Sequence, residues 1–452
     1  MDRSSENRSH RPVGVAIVGC GTVGASAARL LLNDRETRRT RSSADIYLRK
    51  VVVRRRESAL DAGVPSELIS LDYRDILRDE DVGIVVELVG GTDFAGTLIR
   101  ESLQAGKHVV TANKALLAHE GPELFQTARK NGVSLAFESS CGGGIPIIRA
   151  LTDGLTANNI DAIYGIVNGT SNFILTEMIE NGMSYSEALG LAQESGLAEA
   201  DPSLDVNGSD SAHKIAIMGS LAFGEAVALE QIPVKGIDTL QSEDVAFGSE
   251  MGYVIKLIAS ATRSSEGSFL RVEPAFINRD HPLAWISGAF NAISVYGHSV
   301  GHTMYYGRGA GGSPTASAVL ADILSIANGS YPALFSSLLT WPDLSPGARL
   351  TPADHILRRY YIRLQLEDRA GILAGVTRVL AEYDISVSSV LQHEVPDVPE
   401  SHETPVPLVI TTHRVEEAKL TAALEKITRL DHIGGRYSMI PILDEHPEFQ
   451  VW

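Results

Sequence analysis

Cysteines and long apolar runs are both scarce in this sequence. Only two of its 452 residues are cysteines, Cys20 and Cys141, which form no metal-spaced set, and a chain of this size needs no disulfide framework. No apolar run reaches 18 residues, so no membrane-spanning helix is predicted. We therefore expect a protein of the reducing cytoplasm with no membrane partner.

Basic residues are also in deficit. There are 39 Lys and Arg against 56 Asp and Glu, and the net charge of −17 argues against a nucleic-acid partner. The local basic cluster RETRRTR at 35–41 is interpreted as a surface loop. The first twelve residues lack the apolar core of a signal peptide and are predicted to be a flexible tail. The length predicts two or three domains.

The stretch VGVAIVGCGTVGASAARLLL, which begins at residue 13, predicts a dinucleotide site. A short apolar run is followed at once by Gly19, Gly21 and Gly24 and then by a helical pattern. In this strand–turn–helix unit the first glycine permits the tight turn, the second lets a pyrophosphate approach, and the third lets helix and strand pack closely. The flanking strand and helix make the motif far more specific than its three glycines alone.

The next apolar run, IYLRKVVV at 46–53, ends in Arg54, Arg55 and Arg56. A strand end that reads an NAD ribose favours Asp or Glu, whereas an arginine suits the 2′-phosphate of NADP. NADP(H) is therefore the predicted cofactor, with NAD(H) as the alternative if these arginines only face solvent.

Further apolar runs alternate with helical segments, which indicates a parallel, doubly wound α/β sheet. Lys114 follows one such run, so it is predicted to lie near the ligand or else to be an exposed helix-start lysine. A predicted strand at 133–138 ends in Glu138 before a glycine-rich loop, and a carboxylate with free carbonyls suits a hard cation. Cys141 in that loop could instead be a nucleophile, although no histidine is adjacent.

The run EADPSLDVNGSDSAHK at 199–214 gathers Glu199, Asp205 and Asp210 before Lys214. Asp210 and Lys214 are four residues apart on a predicted helix and so share one face. A solvated acidic loop is one interpretation. The other is an amino-acid site, in which the acids hold an ammonium and the lysine moves a proton at an oxygen that alternates between carbonyl and hydroxyl.

Long motifs in this order resemble the homoserine dehydrogenase family over nearly the whole chain. They are GCGTVG, VVELVGG, AGKHVVTANKALLA, GGGIPII, GIVNGTSNFIL, GLAEADPSLDVNGSDSAHK and GRGAGGSPTASAVLADIL. The resemblance implies NAD(P)-dependent interconversion of L-homoserine and L-aspartate 4-semialdehyde, on the route to threonine, methionine and isoleucine.

The resemblance also implies roles for single residues. Lys214 would transfer the proton with Lys114 nearby, and Glu199, Asp205 and Asp210 would bind the substrate. A Na⁺ or K⁺ ion would be held by Glu138 and by the carbonyls of Cys141, Gly143 and Ile145. The implied cofactor contacts are Gly19, Gly21, Thr22, Val23, Gly24, Arg54, Arg55, Lys114, Gly196 and Gly309.

The last hundred residues follow a β-α-β-β-α-β order that is typical of a ferredoxin-like fold. They resemble the ACT domain, in which the loop of EDRAGILAGVT is where amino acids bind. This implies a homodimer or homotetramer and feedback by L-threonine or a related product. The alternative is an ACT domain that only assembles the protein.

The predicted organisation has five parts. They are a tail (1–12), a Rossmann-type domain (13–150, with a returning segment about 308–340), an α+β substrate-binding and dimerisation domain (151–307), a linker (341–357) and an ACT domain (358–445).

Overall fold

A computed structural model describes residues 12–33, 42–264, 267–352, 356–393 and 405–443. Nearly all of the predicted tail, the basic cluster at 35–41 and most of the Pro-rich loop at 395–407 lie outside these residues. The chain divides into two compact units, described separately here. The first comprises Met1–Asp161, Ala212–Gln231 and Val295–Ala348, and the second comprises Ala162–Ser211, Ile232–Ser294 and Arg349–Trp452.

The first unit is built on a parallel sheet, which confirms the predicted doubly wound fold. Its strand order is β3-β2-β1-β4-β5-β6, and each neighbouring pair runs parallel. Strands β1 to β3 are added toward one edge of the sheet and strands β4 to β6 toward the other, so the strand order reverses between β1 and β4. In such sheets, ligands bind in the crevice at this point. The strands are β1 (Val13–Val18), β2 (Ile46–Val52), β3 (Ile69–Ser70), β4 (Val82–Glu87), β5 (His108–Thr111) and β6 (Leu135–Ala136).

Helices pack around this sheet because its strands are almost continuously apolar and need cover on both faces. They are Thr22–Asn33, Arg56–Asp61, Arg74–Arg78, Asp93–Gln104, Lys114–Lys130, Ile147–Arg149, Gly312–Ala327 and Ser330–Ser337.

The strand predicted over 133–138 is shorter than expected. Only Leu135–Ala136 is a strand, and Glu138 begins a 3₁₀ turn, Glu138–Ser140. The backbone N–H of Glu138 donates to the carboxylate of Asp322 at 2.9 Å, so this amide is unavailable for a sheet hydrogen bond.

The second unit contains a mixed sheet, whose order β10-β7-β8-β9 continues into the strands of the C-terminal region. At its centre β8 and β9 pair antiparallel from Tyr253↔Asn278 to Ser264↔Gly267. The strands are β7 (Ile160–Ile166), β8 (Tyr253–Ser264), β9 (Gly267–Asn278) and β10 (Phe290–Gly297); β11 (Gly301–Arg308) follows in the first unit. The helices of this region are Gly169–Glu180, Tyr185–Glu194, Ser203–Val206 and Ser242–Glu250. The helix Ser209–Phe223 begins in the second unit, and its residues from Ala212 belong to the first.

The helix Gly169–Glu180 begins at a different residue from the one predicted. The sequence pattern favours Thr170 or Ser171 as its N-cap. In the structure Asn168 caps it, and its side chain accepts the backbone N–H of Ser171. Asparagine is as good a cap as serine, so the pattern alone could not choose between them.

The C-terminal region has the predicted β-α-β-β-α-β order. β12 pairs antiparallel with both β16 and β14, and β14 pairs with β13, which is the ferredoxin-like arrangement. β16 also pairs with β9 at Ile442↔Phe276, so the strands of the C-terminal region continue the mixed sheet of the second unit. The elements are β12 (Leu357–Glu367), Ile372–Glu382, β13 (Val387–Leu391), β14 (Pro405–Thr412), β15 (Val415–Glu416), Glu417–Ile427 and β16 (Ile433–Ile442).

Within the described ranges, no single helix is long and apolar enough to cross a membrane. One pair, Gly312–Ala327 and Ser330–Ser337, meets the length and composition test only when taken together, and it is bent by 82°.

Candidate active site

The glycine loop after β1 has the geometry that its spacing predicts. Gly19 has φ +98°, and a Cβ there would lie 2.6 Å from the carbonyl oxygen of Leu88. A Cβ on Gly24 would lie 2.1 Å from the carbonyl oxygen of Gly19, so the helix Thr22–Asn33 can pack this closely only with glycine. Gly21 faces open space, which leaves its backbone accessible to a phosphate group.

An open cleft lies beside this loop. Its lining includes Gly19 and Gly21 on one strand end and the exposed Arg54 and Arg55 on the next. Arg56 does not line it, because its guanidinium donates to the carbonyl of Ser66 at 3.0 Å. The cleft thus brings the glycine loop and two of the three candidate arginines together.

Glu87, which the sequence analysis missed, organises the end of β4. It is fully buried, and one carboxylate oxygen accepts the backbone N–H groups of Val89 (2.8 Å) and Gly90 (3.1 Å). The other accepts the hydroxyl of Thr111 at 2.6 Å. Asn113 adds a second tie between these strand ends, because its amide donates to the Gly91 carbonyl at 2.6 Å. Glu87 is the only acid in an apolar run, and that isolation was the signal available in the sequence.

Lys114 and Lys214 both lie near the Cys141 thiol. Lys114 is the first residue of the helix Lys114–Lys130, and Lys214 is only 7% exposed within Ser209–Phe223. Burial raises the pKa of Cys141 to about 12, and the positive charges of Lys214 and Lys114 act against that rise. A thiol with this pKa is not a thiolate at neutral pH, which argues against Cys141 as a nucleophile.

A small apolar pocket lies between the helices that carry the two lysines. Leu117 and Phe125 line it from the helix Lys114–Lys130, and Ile217 and Leu221 line it from Ser209–Phe223.

Two of the predicted substrate acids converge in the second unit. The side-chain amide of Asn168 donates to Asp205 Oδ1 at 2.8 Å and to Asp210 Oδ2 at 2.9 Å. Asp210 is 8% exposed and lies in the first turn of its helix, where the helix dipole favours negative charge.

The other acids of the run are more exposed. Asp201 accepts the backbone N–H and the hydroxyl of Ser203, so it forms a local turn. Glu199 is exposed. Gly196 has φ +69° directly after the helix Tyr185–Glu194, a position that terminates helices.

The predicted cation loop is shaped by Glu138. Its two carboxylate oxygens accept the backbone N–H groups of Ile148 (2.8 Å) and Arg149 (2.9 Å). Burial, with a smaller contribution from the negative Asp322, raises the pKa of Glu138 to about 8. No cluster of three or more His, Cys, Asp or Glu side chains suited to a metal occurs in the parts of the chain that the structure describes.

Backbone carbonyls are further ligands that this loop can offer a monovalent cation. Gly143 has φ +56°, and a Cβ there would lie 2.5 Å from the Gly309 carbonyl oxygen, so the loop runs directly against Gly309. The Ile145 carbonyl already accepts the N–H of Ile147 at 2.8 Å and retains one lone pair.

Known proteins match this chain along most of its length. The family described as "Homoserine dehydrogenase, NAD binding domain" matches 19–138, "Homoserine dehydrogenase" matches 146–324, and "ACT domain" matches 360–432. The homoserine dehydrogenase of Pseudomonas aeruginosa is 39% identical and covers 94% of this chain and 97% of its own length. That of Helicobacter pylori is 40% identical and covers 94% and 98%.

This chain belongs to the homoserine dehydrogenase family.

Solved structures of the family agree in fold. A homoserine dehydrogenase from Thiobacillus denitrificans has a TM-score of 0.89 at 38% identity, covering 96% of this chain and 99% of that one. A hyperthermophilic archaeal homoserine dehydrogenase in complex with NADPH has a TM-score of 0.59 at 26% identity, covering 70% and 97%. Homoserine dehydrogenases interconvert L-homoserine and L-aspartate 4-semialdehyde with NAD(P), so the activity implied by the motifs is that of the family.

Proposed function

We propose that Lys214 exchanges the proton of the substrate oxygen while Asp205 and Asp210 hold the substrate ammonium. The observation that carries this is the pair of carboxylates at the start of the helix on which Lys214 lies one turn later. NAD(P), when bound, accepts or supplies the hydride. A buried amine is suited to general acid–base chemistry, because the surrounding protein excludes competing water.

Two further residues complete this proposal. Glu199 supplies an additional acid for the ammonium at the exposed side of the run. Lys114 contacts substrate and nicotinamide; the proximity of both lysines to Cys141 supports a shared role in one site.

For the cofactor we propose a preference for NADP(H) over NAD(H). Arg54 and Arg55 line the cleft at the end of β2 and offer planar donors to a 2′-phosphate. The dinucleotide backbone would be held by the glycine loop with Thr22 and Val23, together with Gly196 and Gly309.

A monovalent cation held by Glu138 and by the carbonyls of Cys141, Gly143 and Ile145 is part of the same proposal. Na⁺ or K⁺ suits neutral carbonyl oxygens and would hold the loop in place. No chemical step passes through it, because a single charge polarises a carbonyl weakly.

Regulation is proposed to act through the ACT domain. The loop 368–371 precedes the helix Ile372–Glu382, and its Gly371 has φ +96° at the N-cap. We propose that L-threonine binds there in a homodimer or homotetramer that works in the cytoplasm.

The test is the rate of NADPH or NADH formation from L-homoserine, measured with each cofactor and with or without L-threonine. The proposal requires turnover, a lower KM for NADP⁺ than for NAD⁺, and inhibition by L-threonine. A folded protein that binds homoserine but does not turn it over would indicate an amino-acid sensor instead. Equal use of the two cofactors would overturn the NADP preference, and rates unaffected by threonine would leave the ACT domain an assembly module.

A further inference from the structure

Asn168 lies at the start of the helix Gly169–Glu180, and both the oxygen and the nitrogen of its side-chain amide form hydrogen bonds. It follows β7 and is 6% exposed. Its Oδ1 accepts the N–H of Ser171 at 2.8 Å, and its Nδ2 donates to Asp205 and Asp210 at 2.8 and 2.9 Å.

The orientation of this amide is dictated by its partners. If oxygen and nitrogen were exchanged, the carbonyl oxygen would face two carboxylate oxygens and the NH₂ group would face a backbone N–H. All three contacts would then be repulsive. Only the observed orientation makes three hydrogen bonds, so Asn168 is the common donor of the two acids.

This donor sets the distance between the carboxylates. The two N–H bonds of an amide diverge by roughly 120°, so acceptors at these lengths lie about 5 Å apart. An ammonium that donates to two acceptors at ordinary hydrogen-bond length needs them about 4.6 Å apart. The amide therefore holds the two oxygens at almost the separation that a substrate ammonium requires.

The backbone around Asp205 is fixed from the same helix end. The Ser171 hydroxyl donates to the Asp205 carbonyl at 2.6 Å. The short helix Ser203–Val206 is thus tied to the start of Gly169–Glu180 through both side chain and backbone. Asp205 has intermediate exposure, and these two bonds contribute to its position from one helix end.

We propose that Asn168 is a positioning residue for substrate binding, which holds Asp205 and Asp210 at the spacing that receives the α-ammonium of an amino-acid substrate. This rests on the proposed assignment of those acids. Asn168 does not touch the reacting carbon or oxygen; it acts through the carboxylates.

The test uses Asn168→Asp and Asn168→Ser, which both keep an oxygen able to cap the helix. Asn168→Asp removes both N–H donors at almost constant shape, and Asn168→Ser removes them without adding charge. We expect KM for L-homoserine to rise about 10- to 100-fold, the scale on which a misplaced binding group acts. The dissociation constant of NADPH should be unchanged.

Dead-end inhibitors separate positioning from a general structural effect. The inhibition constant of L-2-aminobutanoate, which keeps the ammonium but lacks the hydroxyl, should rise in parallel with KM. That of butanoate, which lacks the ammonium, should not change. Ser184→Ala is the matched control, because Ser184 caps the next helix through an exposed capping box with no link to the acids, and its KM should equal the wild-type value.

Asp210→Asn separates the assignment of the acids to the ammonium from the positioning role of Asn168. If it leaves KM and the L-2-aminobutanoate constant unchanged, the assignment of the acids to the ammonium fails. If it raises both but the Asn168 variants do not, only the inference about Asn168 fails. Equal weakening of L-2-aminobutanoate, butanoate and NADPH in the Asn168 variants would indicate loss of folding and would likewise overturn the positioning role.

Discussion

Replacing Arg363 with methionine should destabilise the second unit strongly. Arg363 lies on β12, and its guanidinium makes a two-point contact with Asp244 at 2.7 and 3.1 Å. The two side chains are 5% and 1% exposed. Asp244 also accepts the hydroxyls of Tyr361 (3.1 Å) and Ser438 (2.9 Å). Without the arginine, these two neutral donors would be left to stabilise a buried negative charge.

The expected loss follows from that burial. Removing one partner of a buried ion pair costs about 3–5 kcal/mol, because the remaining charge keeps its desolvation cost without its counter-charge. Methionine keeps the aliphatic stem, so little packing is lost. Adding Asp244→Leu to the Arg363 variant should recover much of the loss, since the unpaired charge is then gone.

Urea titration followed by circular dichroism measures this effect in the full chain. Arg369→Met is the matched control: Arg369 lies two residues beyond the end of the same strand, is 52% exposed and lies 3.4 Å from Glu367. Its loss should cost at most about 1 kcal/mol, as is usual for exposed pairs. The reasoning is refuted if the Arg363 variant unfolds at the urea concentration of the control.

Three further outcomes are expected. Lys214→Ala should lower kcat by about 10²-fold or more while NADPH still binds, and an unchanged kcat would remove the proton-transfer role. Replacing Arg54 and Arg55 with glutamate should weaken the binding of NADP(H) more than that of NAD(H). Arg56→Glu, outside the cleft, should change the affinities for the two cofactors equally. Equal losses of both affinities in all the variants would exclude 2′-phosphate recognition. Burial lowers the pKa of Lys256 from 10.5 to about 8, so between these pH values the unfolded chain binds a proton that the folded protein releases. The free energy of unfolding of the wild type should therefore rise with pH across this range, by about 3 kcal/mol relative to Lys256→Met. Parallel pH–stability curves for the two proteins would contradict this.

Local patterns predicted the parts of the fold whose causes are local. The glycine loop could be predicted because the backbone atoms close to Gly19 and Gly24, which exclude a side chain there, follow from the strand–turn–helix arrangement. Alternation and helical spacing likewise gave the ferredoxin-like order of the C-terminal region. The short β6 was missed because its boundary depends on Asp322, far along the chain.

The site was predicted by residue type more than by geometry. The acid run drew attention to Asp205 and Asp210, but its spacing could not show which acids converge. Their common donor, Asn168, lies 37 and 42 residues earlier, in an Asn-Gly pair that is typical of a turn. Glu87 was overlooked for a similar reason, because the backbone donors it gathers are defined only by the fold of the loop after β4.

The pairing of β16 with β9 has a consequence for the order of events during synthesis. Phe276 meets Ile442 across 166 residues of chain, so the Phe276 end of this edge of β9 stays open until almost the whole sequence has left the ribosome. Val272, on the same edge, pairs with the earlier Val234. Contacts of such long range close slowly, and an unpaired strand edge can recruit other chains in the meantime. A nascent or truncated chain that ends before residue 433 should therefore depend on chaperones to avoid aggregation through β9.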